Sequence, residues 1–343
     1  MSKFRYSVGP WNVAEGADVY GPATRATIAF AKKVETFKRL GFDAVQFHDD
    51  DAVPEINGKS AAQISAKAKE VKKLLDNHGM AAEFVAPRLW MDEHCIDGAY
   101  TSNSAADRKY AIDRSLKSID IARELGCDKI VLWLAREGTS CAESKDPVVA
   151  IKHLVEAVNA MLSYDKTIKI LIEPKPNEPV DRSYCGTIGH VMGVSAATVD
   201  PTRVGGLLES AHAILAGLDP ANEIAFGLAM GKLWGVHLND QNGLKFDQDR
   251  SFGVENLRQG FNQIKVLVEN DYGKNGEYVG LDVKAMRTTK DSAGYEHLSN
   301  SLTIAKLLEE KALKFDYGFQ KKCVAERNYE ALEMYVVNLL LRG

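Results

Sequence analysis

The chain has 343 residues, 45% of them hydrophobic, so it is long enough to bury one large core or two medium ones. A formal net charge of −4 excludes the basic surface that binding to nucleic acid needs, and no run of basic residues marks a membrane-binding surface. The start of the chain shows no apolar signal core, and the five cysteines lack paired spacing. We therefore expect a cytoplasmic enzyme with no nucleic-acid or membrane partner.

Short apolar segments alternate with longer segments of helical periodicity along the chain. Predicted strands cover residues 5–9, 44–48, 82–86, 129–133, 168–173, 204–209, 233–237 and 278–283. Predicted helices lie between them, most clearly over residues 26–40, 61–78, 106–125, 148–164, 191–199 and 252–269. Gly41, Gly79 and Gly126 directly follow three of these helices, where a left-handed C-cap favours glycine.

This alternation predicts an α/β protein, a (β/α)8 TIM barrel with a short helical C-terminal extension. We assign residues 1–299 to the barrel and residues 300–343 to the helical extension. The alternative is a doubly wound parallel sheet. It is less favoured because no Gly-x-Gly-x-x-Gly follows the first predicted strand.

Polar and charged side chains cluster just after the predicted strands, where a barrel enzyme places its active site. In chain order these residues are His48, Asp51, Glu173, Lys175, Glu209, His212, His237, Asp282 and Lys284. Asp247 and Asp249 follow the seventh strand, and in an extended segment two alternate residues share one face. One such residue would mean little, but their recurrence at successive strand ends indicates a common site.

The residue types favour two divalent metal ions. Four of them, from consecutive strands, can surround the first ion: Glu173, Glu209, His237 and Asp282. A second set, sharing Glu209, can surround another: Glu209, His212, Asp247 and Asp249. Without cations these five carboxylates would repel one another, and mixed oxygen and imidazole ligands suit magnesium, manganese or cobalt. For Asp49, Asp50 and Glu178 a capping or salt-bridging role is the better interpretation.

Four motifs resemble D-xylose isomerase, in order, over most of the chain from about Trp11 to Thr288. They are Phe-His-Asp-Asp-Asp at residues 47–51, Ile-Glu-Pro-Lys-Pro-Asn-Glu-Pro at 172–179, Lys-Phe-Asp-Gln-Asp at 245–249 and Asp-Val-Lys at 282–284. The resemblance implies a barrel that interconverts an aldose and a ketose with two divalent ions in each subunit.

The resemblance also implies roles for individual residues. His48, with Asp51 behind it, would open the sugar ring, and Lys175 would hydrogen-bond an oxygen at the reacting carbons. A hydride would then move between C2 and C1 in a dry pocket. Trp11, Trp90, Trp133 and Lys284 would contact the sugar, and Tyr20 is similar to an aromatic residue that enters a neighbouring subunit's site.

The departures from the family pattern lie at one metal ligand and on the pocket wall. His237 stands where the family has an aspartate, which we expect to shift metal preference towards manganese or cobalt. Arg88 stands where an asparagine is usual, Trp90 where a phenylalanine is usual, and Ala86 where a threonine is usual. The C-terminal tail is short for the family, so a homodimer is as plausible as a homotetramer.

Three functions therefore remain open. The first is an aldose–ketose isomerase, with xylose favoured. The second is a related sugar isomerase or epimerase that transfers a proton through an enediol. The third is a non-enzymatic or differently reacting protein on the same barrel, such as a metal-dependent lyase or an endonuclease-like hydrolase.

Overall fold

A computed structural model describes residues 3–342, and within them eight parallel strands close into a barrel. The strands are β1 (Tyr6–Val8), β2 (Ala44–His48), β3 (Ala81–Ala86), β4 (Lys129–Trp133), β5 (Lys169–Glu173), β6 (Val204–Glu209), β7 (Leu233–Leu238) and β8 (Val279–Leu281). Each strand pairs with its sequence neighbours, and β1 pairs with β8 to close the ring. The predicted barrel is confirmed, and every predicted strand overlaps an observed one.

A helix follows each barrel strand. These helices are α1 (Phe30–Leu40), α2 (Ala61–Asn77), α3 (Ala105–Leu125), α4 (Pro147–Tyr164), α5 (Ile188–Ala197), α6 (Pro220–Ala229), α7 (Leu257–Glu269) and α8 (Glu296–Leu313). Two short helices, Asp49–Ala52 and Ser210–Leu215, begin directly after β2 and β6. Gly41 and Gly126 end α1 and α3 with left-handed φ angles of 98° and 79°, as their positions predict.

Two further helices, α9 (Tyr317–Glu326) and α10 (Tyr329–Leu341), follow the barrel. The predicted boundary at residue 300 falls inside α8, whose buried Leu298, Leu302 and Leu308 belong to the main core. We therefore propose that the barrel unit extends to the end of α8 and that the extension consists of α9 and α10. Residues 1, 2 and 343 of the predicted ranges lie outside the described residues.

Two helices begin later than predicted because tertiary hydrogen bonds hold the preceding segment. Ala26 donates its N–H to Asp291 Oδ1, and the Arg25 guanidinium donates to the carbonyl oxygens of Ala14 and Met286. α1 therefore starts at Phe30 rather than at residue 26. In the same way Phe252 donates its N–H to Ser301 Oγ, and α7 starts only at Leu257.

The main apolar core lies between the strands and the helices, and a smaller cluster fills the barrel interior. The interior cluster consists of Phe84, Ala86, Val131, Leu171 and Leu207. Glycine allows close packing here, because a Cβ at Gly280 would lie 2.9 Å from His237 Cδ2. Within residues 3–342 no helix is both long and apolar enough to cross a membrane.

Candidate functional site

A cavity of about 380 Å³ opens at the carboxyl ends of the barrel strands. The strand-end residues His48, Trp133, Glu173, Glu209 and His237 all line it. It is also lined by Trp11, Phe84, Ala86, Arg88, Trp90, Val131, Lys175, Glu178, Pro179, His212, Asp247, Asp249, Asp282 and Lys284. Every candidate residue that the sequence suggests for metal, substrate and catalysis lines this cavity, except Asp51, which contacts His48, and Tyr20.

Glu173, Glu209, His237 and Asp282 form the first group of possible metal ligands. One ligand atom from each lies within 4.8 Å of the others. His237 Nδ1 is 3.5 Å from Glu173 Oε1, 3.8 Å from Glu209 Oε2 and 3.7 Å from Asp282 Oδ2. Strand register produces this arrangement, because Glu209 of β6 is paired directly with His237 of β7. The structure thus brings together the four residues that the sequence suggests as the first ligand set.

A second group, Glu209, His212 and Asp247, shares one carboxylate with the first. His212 Nε2 lies 3.2 Å from Glu209 Oε1 and 3.2 Å from Asp247 Oδ2. The short helix Ser210–Leu215 begins immediately after Glu209, which brings His212 back over the strand end. This segment therefore supplies both the shared carboxylate and the imidazole.

Asp249, the fourth predicted ligand of the second ion, lies beside this group rather than within it. Its backbone has a left-handed φ of 47°, so the segment is not the extended strand that the alternate spacing suggested. Lys284 Nζ donates to Asp249 Oδ2, and Asn239 Nδ2 donates to Asp249 Oδ1 at 3.2 Å. The same amide donates to Glu209 Oε1 at 2.8 Å and so links Asp249 to the shared carboxylate.

The electrostatics of both groups fit divalent cations. Burial and the neighbouring Asp247 carboxylate raise the pKa of Glu209 well above its usual value, and burial raises the pKa of Asp282 to about 7. Among the described residues, both ring nitrogens of buried His237 and Nδ1 of buried His212 have no hydrogen-bond partner. Buried polar atoms without partners are costly, and carboxylate and imidazole donors together suit magnesium, manganese or cobalt.

Lys175 lies between the second group and the pocket wall. Its Nζ is 2.8 Å from Asp247 Oδ2 and 5.0 Å from the centre of the Trp133 ring. Burial alone would lower the pKa of Lys175, but the carboxylates of Asp247, Glu209 and Glu178 together outweigh burial and raise it. The ammonium group is therefore charged at neutral pH and can donate to an oxygen in the cavity.

His48 is held by an acidic residue and by an arginine. Its Nδ1 lies 3.1 Å from Asp51 Oδ2, as the sequence suggests, but 2.7 Å from Arg88 Nη2. His48, Asp50 and Asp51 are close enough to hold a cation, yet the Arg88 guanidinium, 2.8 Å from Asp50 Oδ1, already supplies a positive charge there. Asp49 forms a buried ion pair with Arg114 at 2.7 Å, which confirms its predicted salt-bridging role.

Three tryptophans form the apolar wall of the cavity. The ring centres of Trp11 and Trp90 lie 4.4 Å and 5.1 Å from the centre of the His48 ring. Trp90 packs edge-on against Trp133, with their ring centres 4.6 Å apart. Trp11 Nε1 also donates to Asp282 Oδ1 at 3.0 Å. Tyr20 lies outside this cavity and is 92% exposed.

Sequence reasoning missed Asn239 and the contact between Arg88 and His48. Asn239 had a usable signal, because it stands two residues after His237 at a strand end rich in polar groups. Arg88 was visible only as a change in the pocket wall. Its partner lies 40 residues earlier in the chain and reaches it through the pairing of β2 with β3.

A TIM barrel with carboxylates and imidazoles gathered at its strand ends is the architecture of many metal-dependent enzymes. The family model described as "Xylose isomerase-like TIM barrel" matches residues 34–298, and the chain belongs to this family.

Solved structures with this fold are similar over most of the chain at low sequence identity. A D-psicose 3-epimerase crystallised in the presence of D-fructose aligns with a TM-score of 0.65 and 12% identity, covering 89% of this chain and 99% of its own. A D-tagatose 3-epimerase-like protein aligns with a TM-score of 0.63 and 14% identity, covering 90% and 99%. A xylose isomerase domain protein from Alicyclobacillus acidocaldarius subsp. acidocaldarius gives 0.61 and 14%, with the same coverage.

Proposed function

We propose that the protein is a metal-dependent sugar isomerase or epimerase. The observation that carries this proposal is the largely buried group Glu173, Glu209, His237 and Asp282 at the end of a tryptophan-lined cavity. An ion-binding group facing a partly apolar cavity suits a small polyhydroxylated substrate. Membership of the xylose isomerase-like family and the epimerases among the similar structures support the same class.

We propose two divalent ions, held by the first group and by Glu209, His212 and Asp247, with Asp249 contributing beside them. When bound, such ions act as Lewis acids that polarise a carbonyl or hydroxyl oxygen of the sugar. The protein's part is to fix the ligands, and Asn239 does so by bridging Glu209 and Asp249.

The remaining cavity residues bind and orient the sugar. Lys175, charged and buried, would donate to an oxygen at the reacting carbons, and Lys284, which pairs with Asp249, would contact a hydroxyl. His48 would contact a further sugar oxygen, with Asp51 beside its ring. Trp11, Trp90 and Trp133 would exclude water from the reacting carbons.

The finer proposal is an aldose–ketose isomerase that converts D-xylose to D-xylulose or acts on a related aldose. The resemblance of residues 172–179 and 245–249 to D-xylose isomerase supports it. In this reaction the hydrogen on C2 moves to C1 with its electron pair, while the C2 hydroxyl proton moves to the C1 oxygen. No base holds the carbon-bound hydrogen, so a water-poor pocket favours this route.

The second candidate is an epimerase or isomerase that works by proton transfer through an enediol. A carboxylate is a common base for such a proton, and the cavity is lined by several of them. The D-psicose 3-epimerase and the D-tagatose 3-epimerase-like protein among the similar structures point the same way. Glu173 or Asp282 would then remove the proton from carbon, and Lys175 would be less important.

An NMR time course in deuterated water separates these candidates. The magnesium- or manganese-loaded protein is incubated with D-xylose, D-fructose and D-psicose, beside a chelator-treated control. Metal-dependent xylulose without carbon-bound deuterium supports the hydride shift, and deuterium on carbon supports the enediol route. Absence of metal-dependent turnover on these and a wider panel of aldoses and ketoses would contradict the proposed class.

We also propose that the protein is a homo-oligomer, a dimer or a tetramer. Val19 and Tyr20 are 91% and 92% exposed, which leaves adjacent large apolar side chains in water. Tyr20 would lie at a neighbouring subunit's cavity. Light scattering gives the mass, and Tyr20→Ala tests the contact, because a raised KM at unchanged metal affinity is expected only if Tyr20 reaches a sugar site.

A further inference from the structure

Arg88 is fixed at the cavity wall by contacts on both its backbone and its side chain. Its backbone N–H donates to Asp49 Oδ1 at 3.2 Å, and its Nε donates to Asp50 Oδ1 at 2.8 Å. The guanidinium lies 5.7 Å from the centre of the Trp90 ring. Nη2 is thereby aimed at Nδ1 of His48, at 2.7 Å. The contact between Arg88 and His48 is therefore fixed by the neighbours that hold the arginine in place.

The chemistry of the guanidinium decides where the proton of the His48 ring resides. Arginine has only donors and stays charged, so a close Nη2–Nδ1 contact requires a lone pair on Nδ1. A neutral imidazole with its lone pair on Nδ1 carries its proton on Nε2. A proton on Nδ1 would instead place two N–H groups against each other at 2.7 Å.

The Asp51 carboxylate has hydrogen-bond partners other than the ring proton of His48, although its Oδ2 lies 3.1 Å from Nδ1. Its Oδ2 already accepts the backbone N–H of His48 at 3.0 Å, and its Oδ1 lies 3.5 Å from Arg88 Nη2. The carboxylate is thus paired both with a backbone donor and with the arginine. Arg88 is the nearer partner of Nδ1.

We propose that Arg88 is a positioning residue that holds His48 as the tautomer with its proton on Nε2. Since Nδ1 faces Arg88, Nε2 is the nitrogen left to meet a substrate, and on the proposed function it donates a hydrogen bond to a sugar oxygen. Removal of the proton from the anomeric hydroxyl, one form of the ring-opening role that the resemblance implies, needs the opposite tautomer, with Nδ1–H facing Asp51 and Nε2 acting as base. Arg88 therefore makes His48 a donor to the sugar rather than a base.

Imidazole ¹⁵N chemical shifts report the tautomer directly and need no sugar turnover. The magnesium-loaded protein is labelled with ¹⁵N-histidine, and His48 is assigned among the eight histidines by its loss in His48→Gln. We expect protonated Nε2 and unprotonated Nδ1 in the native protein. Arg88→Met leaves Asp51 as the charged partner of Nδ1, and we expect the tautomer ratio to shift towards Nδ1–H by about tenfold or more.

Three further variants complete the test. Arg88→Lys keeps a donor and is expected to restore the native tautomer, and Arg39→Met, an exposed arginine of α1, controls for loss of one arginine. Asp51→Asn is expected to leave Nε2 protonated. If Arg88→Met does not fold, this variant alone tests whether Asp51 sets the tautomer of His48. A native His48 protonated on Nδ1, an unchanged ratio in Arg88→Met, or a proton that moves in Asp51→Asn would overturn the proposal. A protein that turns over no sugar but shows the expected shifts would contradict only the proposed function.

Discussion

Trp11 Nε1 donates a hydrogen bond to Asp282 Oδ1 at 3.0 Å, which ties the apolar wall of the cavity to a proposed metal ligand. The indole ring also lies 4.4 Å from the His48 ring and 6.5 Å from the His237 ring. One side chain therefore both lines the cavity and hydrogen-bonds a carboxylate. Its two roles can be separated by substitution.

We predict that Trp11→Phe weakens metal binding as well as altering the pocket. Groups that hydrogen-bond a ligand carboxylate hold its orientation, and their loss typically lowers metal affinity by about 10- to 100-fold. Manganese affinity, measured by electron paramagnetic resonance or calorimetry, is the readout. The matched control is Trp90→Phe, which removes an indole from the same wall that packs on His48 and Trp133. Equal affinities in the two variants would refute a ligand-orienting role for Trp11.

The identity of the seventh-strand ligand should set the metal preference. As a metal ligand, His237 would contribute a neutral imidazole beside three carboxylates, with Nδ1 within 3.8 Å of each of them. His237→Asp adds an anion and a hard oxygen ligand, so we expect the affinity for magnesium to rise relative to manganese and cobalt.

Competition binding of the three ions to each protein measures this preference. His153→Asp on α4 makes the same charge change outside the cavity and serves as the control. If the order and ratio of the three affinities stay as in the native protein, the imidazole does not determine the preference.

Lys175→Met should separate the two proposed reactions. Its ammonium group is the charged donor nearest the second ligand group, and loss of one such donor at a reacting oxygen typically lowers kcat by about 100-fold or more. An aldose–ketose isomerase should suffer this loss. Lys245→Met, at an exposed position of the loop that carries Asp247, should retain native turnover.

Metal affinity must be measured on the same Lys175 variant. Because Lys175 Nζ is 2.8 Å from Asp247 Oδ2, its removal frees a carboxylate and should not weaken binding of the second ion. A variant that keeps both its metal and most of its turnover would remove Lys175 from the chemistry and favour the enediol route.

The fold was predictable because strands of a parallel barrel are buried on both faces and read as continuous apolar runs. That the proposed ligand residues lie together was predictable for a related reason, since polar groups at successive strand ends must meet at one end of a barrel. Glu173, Glu209, His237 and Asp282 all follow this rule.

Contacts that depend on loop geometry and on packing between strands could not be predicted from the sequence. Asp249 was expected beside Asp247 on an extended segment, but a left-handed φ turns it towards Lys284 and Asn239. Arg88 meets His48 because His48 of β2 is paired with Ala86 of β3, two residues before the arginine. Neither contact can be inferred from the spacing of neighbouring residues in the sequence.

His297 is expected to make folding stability fall with acid. It is 7% exposed, its Nε2 lies 2.7 Å from the carbonyl oxygen of Asn12, and burial lowers its pKa to about 4 from 6.5. Between these values the unfolded chain binds a proton that the folded protein does not, so the free energy of unfolding must decrease as pH falls through that range.

The contribution of His297 to acid sensitivity can be tested by its size and with a variant that does not titrate. The full difference in pKa corresponds to about 3 kcal/mol of unfolding free energy, complete near pH 4 and absent above about pH 7. His297→Gln cannot titrate but can keep the donor to Asn12, so we expect its stability, measured by denaturant unfolding in the presence of chelator, to fall less steeply between pH 7 and pH 4. His190→Gln, at an exposed position of α5, should keep the native slope. Parallel pH profiles for the native protein and His297→Gln would show that His297 is not the acid-sensitive group.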